Sequence, residues 1–164
     1  MNSFYYCTPE WLKESARIYR SNPQASEKLK KLSGKVVFRV MADPSWGIEK
    51  DIFFCLFIEQ GKLLRLELIS EEESKKEAEF IIGATPQAWK KILKKESKFI
   101  TDFMLGKIKL EKGSKIGVLA VAPHANNMVE LLTSVQLVFP DELPIDEFEQ
   151  YKANMVEFRK ELVV

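Results

Sequence analysis

Hydrophobic and polar residues repeat with two different periods along the chain, and together they predict a mixed α+β fold. Apolar side chains recur at helical spacing after Thr8-Pro9-Glu10, a start that suits the cap and first turn of a helix. A second, shorter helix is expected over 25–32. Four later segments are apolar or alternate between apolar and polar residues, and each predicts a strand: 35–42, 51–59, 63–69 and 78–84.

The second half of the chain returns mainly to helical spacing. Thr85-Pro86 repeats the start seen at Thr8-Pro9 and opens a helix with Trp89 in its buried stripe. Four further elements are expected: a helix capped by Ser97, a strand over 107–111, a helix over 125–137 and a last helix capped by Asp146. The acidic run 70–76 is interpreted as a loop, and Gln60-Gly61 as a tight hairpin turn.

The strand over 51–59 is apolar on both of its faces. Its neighbour over 63–69 alternates instead, with Leu64, Leu66 and Leu68 on one face, so its other face is expected to be solvated. A strand that is apolar on both faces needs two covers. Helices, a partner chain or a bound ligand can supply the second cover.

The composition is that of a single globular domain of 164 residues, 46% hydrophobic and 30% charged. A chain of this length builds a core without disulfides or metal ions. Cys7 and Cys55 lack CxxC spacing, so a reducing cytoplasm is the simpler expectation. No apolar run approaches the length of a membrane span, and residues 1–8 do not have the pattern of a signal peptide.

Charge is unevenly distributed, although the net value is only +1. Residues 89–115 hold nine Lys against Glu96, Asp102 and Glu111. Such a surface is either simply solvated or makes transient contact with an anionic membrane. We expect no nucleic-acid partner, because aromatic residues are not interleaved with basic ones as they are in single-strand binders.

A run of elements over 78–117 follows a recognisable order. It comprises a strand over 80–82, a Thr-started helix over 85–89, a short helix over 99–105, the run Gly106-Lys107-Ile108-Lys109-Leu110 and a turn at Gly113. This order resembles the type 2 sterol carrier protein family, and the start with Pro9, Glu10 and Trp11 resembles its prokaryotic branch. The upstream strands and their hairpin fit as well, so the resemblance covers about residues 8–137.

The resemblance implies an α+β fold with a five-stranded, mostly antiparallel sheet, helices packed on one side and an apolar tunnel between sheet and helices. It implies one domain over 1–164, with a core of about 8–137 and a C-terminal helical extension over 140–164. We expect the extension to cap the tunnel or to build a dimer contact, and monomer and homodimer both stay open. No peroxisomal address is present, so no peroxisomal role is expected.

The implied function is non-catalytic binding or transfer of a long apolar ligand: a fatty acyl chain, an acyl thioester, an isoprenoid or a sterol-like molecule. Such a site mainly needs apolar wall. Thirteen residues are candidates for this wall: Phe54, Leu56, Leu66, Phe80, Phe99, Phe103, Met104, Ile108, Leu110, Met128, Leu131, Leu132 and Val135. The alternative for each residue is that it fills a dry, packed core.

Two other functions stay open. A protein-interaction or homodimerisation module with a filled core would bury the doubly apolar strand and the extension against a partner. An enzyme acting on an acyl chain or an acyl thioester would use Cys7 or His124. His124 has no Cys or carboxylate at ligand spacing and no GxSxG elbow to accompany it. We therefore expect no catalytic residue, no metal site and no cofactor.

Overall fold

Seven strands and eight α-helices make up the part of the chain that the computed structural model describes, residues 2–164. Met1, the first residue of the predicted domain, lies outside the described residues. The strands are β1 (Ser3–Tyr5), β2 (Gly34–Val40), β3 (Ile52–Glu59), β4 (Lys62–Ile69), β5 (Phe80–Ala84), β6 (Lys109–Lys112) and β7 (Gln136–Val138). The helices are α1 (Pro9–Arg20), α2 (Pro23–Lys28), α3 (Glu71–Glu77), α4 (Pro86–Leu93), α5 (Phe99–Met104), α6 (Lys115–Val121), α7 (Ala125–Leu132) and α8 (Ile145–Leu162).

Five strands form one sheet in the order β4-β3-β2-β5-β6. Only the central pair, β2 and β5, is parallel, and the other three pairs are antiparallel. The predicted α+β fold with a five-stranded, mostly antiparallel sheet is therefore confirmed. The predicted hairpin is confirmed too, since Gln60 and Gly61 both have positive φ, 48° and 81°, as a type I′ turn requires.

A bulge interrupts the pairing of β3 with β4. Phe57 pairs with Arg65 and Ile58 pairs with Leu63, so Leu64 is the extra residue. Leu64 is 42% exposed, whereas Leu63 is buried. The predicted alternation of buried leucines holds at Leu66 and Leu68 but is wrong at Leu64, because the inserted residue shifts the alternation so that Leu63 faces the core instead.

The second face of β3 is covered by α3, which corrects the prediction of a loop over 70–76. The Ser70 side chain accepts a 3.0 Å hydrogen bond from the backbone N–H of Glu73, and three glutamates in the first turn suit the positive end of the helix. Glu73 also accepts a bond from Arg65, whose guanidinium lies over the Phe57 ring. The remaining helices cover the opposite face of the sheet, where the main core lies.

Long-range hydrogen bonds fix the helical layer on the sheet. The Trp11 side chain in α1 donates a 2.8 Å hydrogen bond to the backbone oxygen of Leu132 at the end of α7. The predicted helix over 125–137 is too long, because the chain leaves α7 after Leu132 and forms β7, which pairs in parallel with β1. This pairing holds the N-terminal segment beside the end of the helical layer.

The C-terminal helix packs onto the same core. Tyr151 and Met155 of α8 are buried, and the Arg159 side chain donates hydrogen bonds to the backbone oxygens of Lys50 and Asp51. The helix begins at Ile145, one residue before the predicted cap, Asp146. The predicted cap Ser97 is also wrong, since α5 follows Lys98 and no side chain caps it. Within residues 2–164, no helix is both long enough and apolar enough to span a bilayer.

Candidate ligand-binding cavity

A cavity of about 50 Å³ lies between the sheet and the helical layer. The sheet contributes residues from β2, β3 and β5, the opposite wall comes from α4 to α7, and Tyr6 completes the lining. Its wall consists of Tyr6, Val36, Phe38, Phe54, Ile82, Trp89, Ile92, Leu93, Phe99, Val121, Ala122, Ala125, Met128, Val129 and Leu132. Helix α8 packs elsewhere, against the N-terminal segment and the start of β3.

The polar groups in this wall are already hydrogen-bonded or stay uncharged. The Trp89 side chain donates a 2.9 Å hydrogen bond to the backbone oxygen of Arg39, and its ring lies edge-on to Phe38. Burial raises the pKa of the Tyr6 hydroxyl well above its ordinary value, so this group stays neutral. The cavity therefore presents an apolar surface, and a guest would be held by burial of its own apolar area.

The cavity is much smaller than an extended lipid. Sites for drug-sized ligands usually enclose roughly 300–1,000 Å³, so a long apolar guest would have to move part of the wall. The sheet is hydrogen-bonded, α4 is tied to it through Trp89, and α7 is tied to α1 through Trp11. The shorter helices α5 and α6 are the part of the wall with the fewest such anchors, which makes them the side best suited to move.

Helix α6 lies close to the sheet at Gly117. A Cβ atom at this position would come within 2.5 Å of the Phe80 ring, so a larger residue here would push the helix outward. The Ser114 side chain caps α6 by accepting a 3.0 Å hydrogen bond from the Gly117 N–H. Val121 at the other end of the helix reaches the cavity wall.

The structure distributes the thirteen residues proposed from sequence over four environments. Four of them lie in the cavity wall: Phe54, Phe99, Met128 and Leu132. Five are buried in the same core away from the wall: Leu56, Leu66, Ile108, Leu131 and Val135. Three are half-buried at the edge of this core: Phe80, Phe103 and Leu110. Met104 is 73% exposed, because it lies on the outer face of α5 together with Ile100.

Sequence reasoning missed most of the cavity wall. The helical spacing of Trp89, Ile92 and Leu93 predicts that they form a buried face. It does not predict whether that face packs against other side chains or borders a cavity. Val121 and Ala122 end the apolar run over 116–122, whose pattern does not distinguish a strand from a helix. Small residues at helical spacing beside a sheet are the one signal that could have identified this part of the wall.

The residues considered for catalysis lie outside the cavity wall. Cys7 is fully buried, and burial raises the pKa of its thiol far above the ordinary value, so the reactive thiolate is absent near neutral pH. Burial likewise raises the pKa of the Cys55 thiol to about 11. His124 begins α7 without making a side-chain cap. Among the described residues, no three His, Cys, Asp or Glu side chains come together as metal ligands.

Comparisons with known proteins relate residues 15–116 to the model of the SCP-2 sterol transfer family. A crystal structure of sterol carrier protein 2 is 23% identical, with a TM-score of 0.64 over 80% of this chain and 97% of that one. A conserved hypothetical protein of Thermus thermophilus, described as a possible sterol carrier protein, is also 23% identical, with a TM-score of 0.67 over 80% of this chain and 90% of its own. No curated protein sequence matches significantly.

A third similar structure is the ligand-free sterol carrier protein 2 of Yarrowia lipolytica. It is 17% identical, with a TM-score of 0.50 over 72% of this chain and 86% of that chain. At these identities the structural likeness establishes a common fold, while the ligand of this chain has to be argued from its own residues.

Proposed function

The chain belongs to the SCP-2 sterol transfer family, and we propose that it binds or transfers a long apolar ligand between its sheet and its helices without catalysing a reaction. The ligand class is a fatty acyl chain, an acyl thioester, an isoprenoid or a sterol-like molecule. The observation that supports this proposal is the continuous apolar wall whose one indole N–H, on Trp89, already has a protein acceptor. We expect the protein to act in a reducing cytoplasm, where the free thiols of Cys7 and Cys55 persist.

Burial of the ligand supplies the binding energy in this proposal. Each methylene that leaves water contributes about 0.8 kcal/mol, which corresponds to roughly fourfold in affinity. A dozen methylenes would contribute roughly 10 kcal/mol before the costs of association and ordering are subtracted. In this proposal, part of that gross energy offsets the displacement of α5 and α6 that enlarges the cavity. A polar head group of the ligand would stay outside the cavity, because the wall offers it no free hydrogen-bonding partner.

The first test is mass spectrometry of lipids that remain with the purified protein, together with displacement of a fluorescent fatty acid by ligands of increasing chain length. We expect affinity to rise roughly fourfold per methylene and then to level off once the enlarged cavity is filled. Absence of co-purified lipid, together with no probe binding at any chain length, would refute the proposal.

A cavity-filling variant locates the site. Ala125 lies in the cavity wall, so Ala125→Leu should reduce probe affinity at least tenfold. Ala153, an exposed residue of α8, provides the matched control, and Ala153→Leu should leave affinity unchanged. Met128→Ala removes volume from the wall and should retain binding. Equal affinities for the Ala125 and Ala153 variants, both folded by circular dichroism, would place the ligand elsewhere.

Homodimerisation is the second candidate function, and two observations favour it. The cavity of about 50 Å³ leaves the core nearly filled, and α8 exposes Ile145 and Val156. Light scattering of the full chain distinguishes the candidates. A dimer that Val156→Ser dissociates, in a protein that binds no apolar probe, would replace the carrier proposal with this one.

A further inference from the structure

The outer faces of α5 and α6, the two short helices of the cavity wall, carry highly exposed apolar side chains. Ile116 is 82% exposed and Met104 is 73% exposed. Ile100 lies one turn before Met104, Leu105 follows it directly, and Leu119 lies three residues after Ile116, and all three are exposed as well. We call these five residues the apolar tip.

This pattern is unusual for helices at a protein surface. A surface helix normally buries one apolar stripe and presents polar residues to solvent. Helix α6 already directs Val118 and Val121 inward, on the side opposite Ile116 and Leu119. Both helices line the same cavity, through Phe99 and Val121, and exposed apolar side chains on the outer faces of two such helices mark an interaction surface.

Four lysines flank the apolar tip along the chain, and their charges are available to a partner. Lys98, Lys107, Lys109 and Lys115 are exposed and form no ion pair within residues 2–164. Of the three carboxylates in this stretch, Glu111 accepts a hydrogen bond from Arg39 and Asp102 is buried, which leaves Glu96 as the exposed one against these lysines. The partner that fits this face is therefore both anionic and apolar.

We propose that the apolar tip inserts into the surface of an anionic lipid bilayer while the surrounding lysines contact the headgroups. Apolar side chains among lysines match the layered chemistry of such a surface, with charge outside and hydrocarbon beneath. A second copy of this chain fits poorly, because two lysine-rich faces would repel each other. The carrier role by itself requires only a cavity. This inference adds the surface of the protein through which a ligand enters that cavity.

Docking and loading share the same two helices. Phe99 of α5 and Val121 of α6 lie in the cavity wall, while Ile100 and Leu119 lie on the outer faces of these helices. A bilayer that binds these outer faces would contact the same two helices that have to move when a ligand enters. This step rests on the proposed function, whereas the docking itself does not.

Vesicle sedimentation tests the docking. We expect the full chain to bind phosphatidylcholine vesicles enriched in phosphatidylglycerol, to bind pure phosphatidylcholine vesicles at least tenfold more weakly and to dissociate as salt is added. The double variant Ile116→Ser, Leu119→Ser should bind the anionic vesicles at least tenfold more weakly. The control Ile145→Ser, Val156→Ser removes two exposed apolar side chains from α8 and should bind like the unmodified chain.

The lysines need a separate comparison. Changing Lys107, Lys109 and Lys115 together to Gln should weaken anionic vesicle binding on the order of a hundredfold at low salt, since each lysine near such a surface contributes roughly fivefold. The matched control changes three exposed lysines elsewhere to Gln: Lys13, Lys31 and Lys62. Equal loss in test and control variants, or no vesicle binding by the full chain, overturns the inference. So does a dimer that the Ile116, Leu119 variant dissociates.

Probe binding without vesicles separates this inference from the carrier proposal. The docking variants should keep their affinity for a fluorescent fatty acid, because Ile116 and Leu119 lie outside the cavity wall. A chain that binds anionic vesicles through the apolar tip but binds no probe would retain the docking surface and refute the carrier role.

Discussion

The hydroxyl group of Tyr151 donates a 2.6 Å hydrogen bond to the backbone oxygen of Tyr6, and Tyr6 lines the cavity. This bond joins two residues 145 positions apart and links α8 to the wall of the candidate site. The extension lies beyond residues 15–116, which the family model matches. It nevertheless contributes Tyr151 and Met155 to the same hydrophobic core.

Replacing Tyr151 by Phe should destabilise the fold by about 1–3 kcal/mol, because a buried carbonyl oxygen loses its donor. Urea unfolding measures this difference. Tyr5 provides the control: it packs edge-on to Tyr151 but is partly exposed, so Tyr5→Phe should cost less than about 0.5 kcal/mol. Equal losses for the two variants would mean that the hydrogen bond contributes nothing.

Alkaline pH should destabilise the protein through the buried hydroxyl groups of Tyr6 and Tyr151. Burial raises the pKa of Tyr6 and of Tyr151 well above the ordinary value of 10.0, so the folded chain keeps protons that the unfolded chain releases. The stabilisation is therefore complete below pH 10 and is lost above it, by about 1.4 kcal/mol per pH unit for each group. Urea unfolding between neutral pH and pH 11 should show a shallower decline for Tyr151→Phe. An identical decline would contradict this assignment.

Local sequence signals predicted much of the fold. Thr8 and Thr85 cap their helices as expected, and the turn at Gln60 and Gly61 follows from the conformations that these residues adopt. The acidic run over 70–76 predicts a solvated loop and not helix α3, although Ser70 followed by Glu73 has the spacing of a capping box.

The cavity wall was harder to predict, for a physical reason. Phe54 faces the cavity and Leu56 does not, yet the two lie on the same face of the same strand. Whether an apolar side chain meets a void depends on how far apart the sheet and the helices are held. That spacing is set by contacts between distant residues, such as the hydrogen bond from Trp11 to Leu132. No periodicity within one segment contains this information.

The bulge in β4 predicts opposite outcomes at adjacent leucines. Leu63 is buried in the main core, so Leu63→Ala should destabilise the fold by about 2–5 kcal/mol. Leu64 points to solvent, and Leu64→Ala should cost less than about 0.5 kcal/mol. Chemical denaturation measures both variants. A larger cost at Leu64 than at Leu63 would show that the strand has the opposite register.

The hairpin turn gives a second matched pair. Gly61 has a φ of 81°, and a Cβ atom there would come within 2.5 Å of the backbone oxygen of Ser26. Gly61→Ala should therefore destabilise the fold by about 2–4 kcal/mol, combining backbone strain with a clash against backbone. Gly34 has open space around its Cβ position, and Gly34→Ala should change stability by less than about 1 kcal/mol. Similar costs at both positions, measured by thermal unfolding, would contradict the turn geometry.

Hydrogen exchange should identify α5 and α6 as the moving wall. Their amides are expected to exchange faster than those of α4 and α7, because Trp89 and Trp11 anchor only the latter two helices. A saturated fatty acid at ten times its dissociation constant should slow exchange in α5 and α6 about tenfold, since a ligand that binds only while these two helices are folded over it stabilises that state by that factor. Exchange in α8 serves as the internal control and should not change. Protection confined to α8, or equal protection throughout the chain, would show that the ligand does not close these two helices over the cavity.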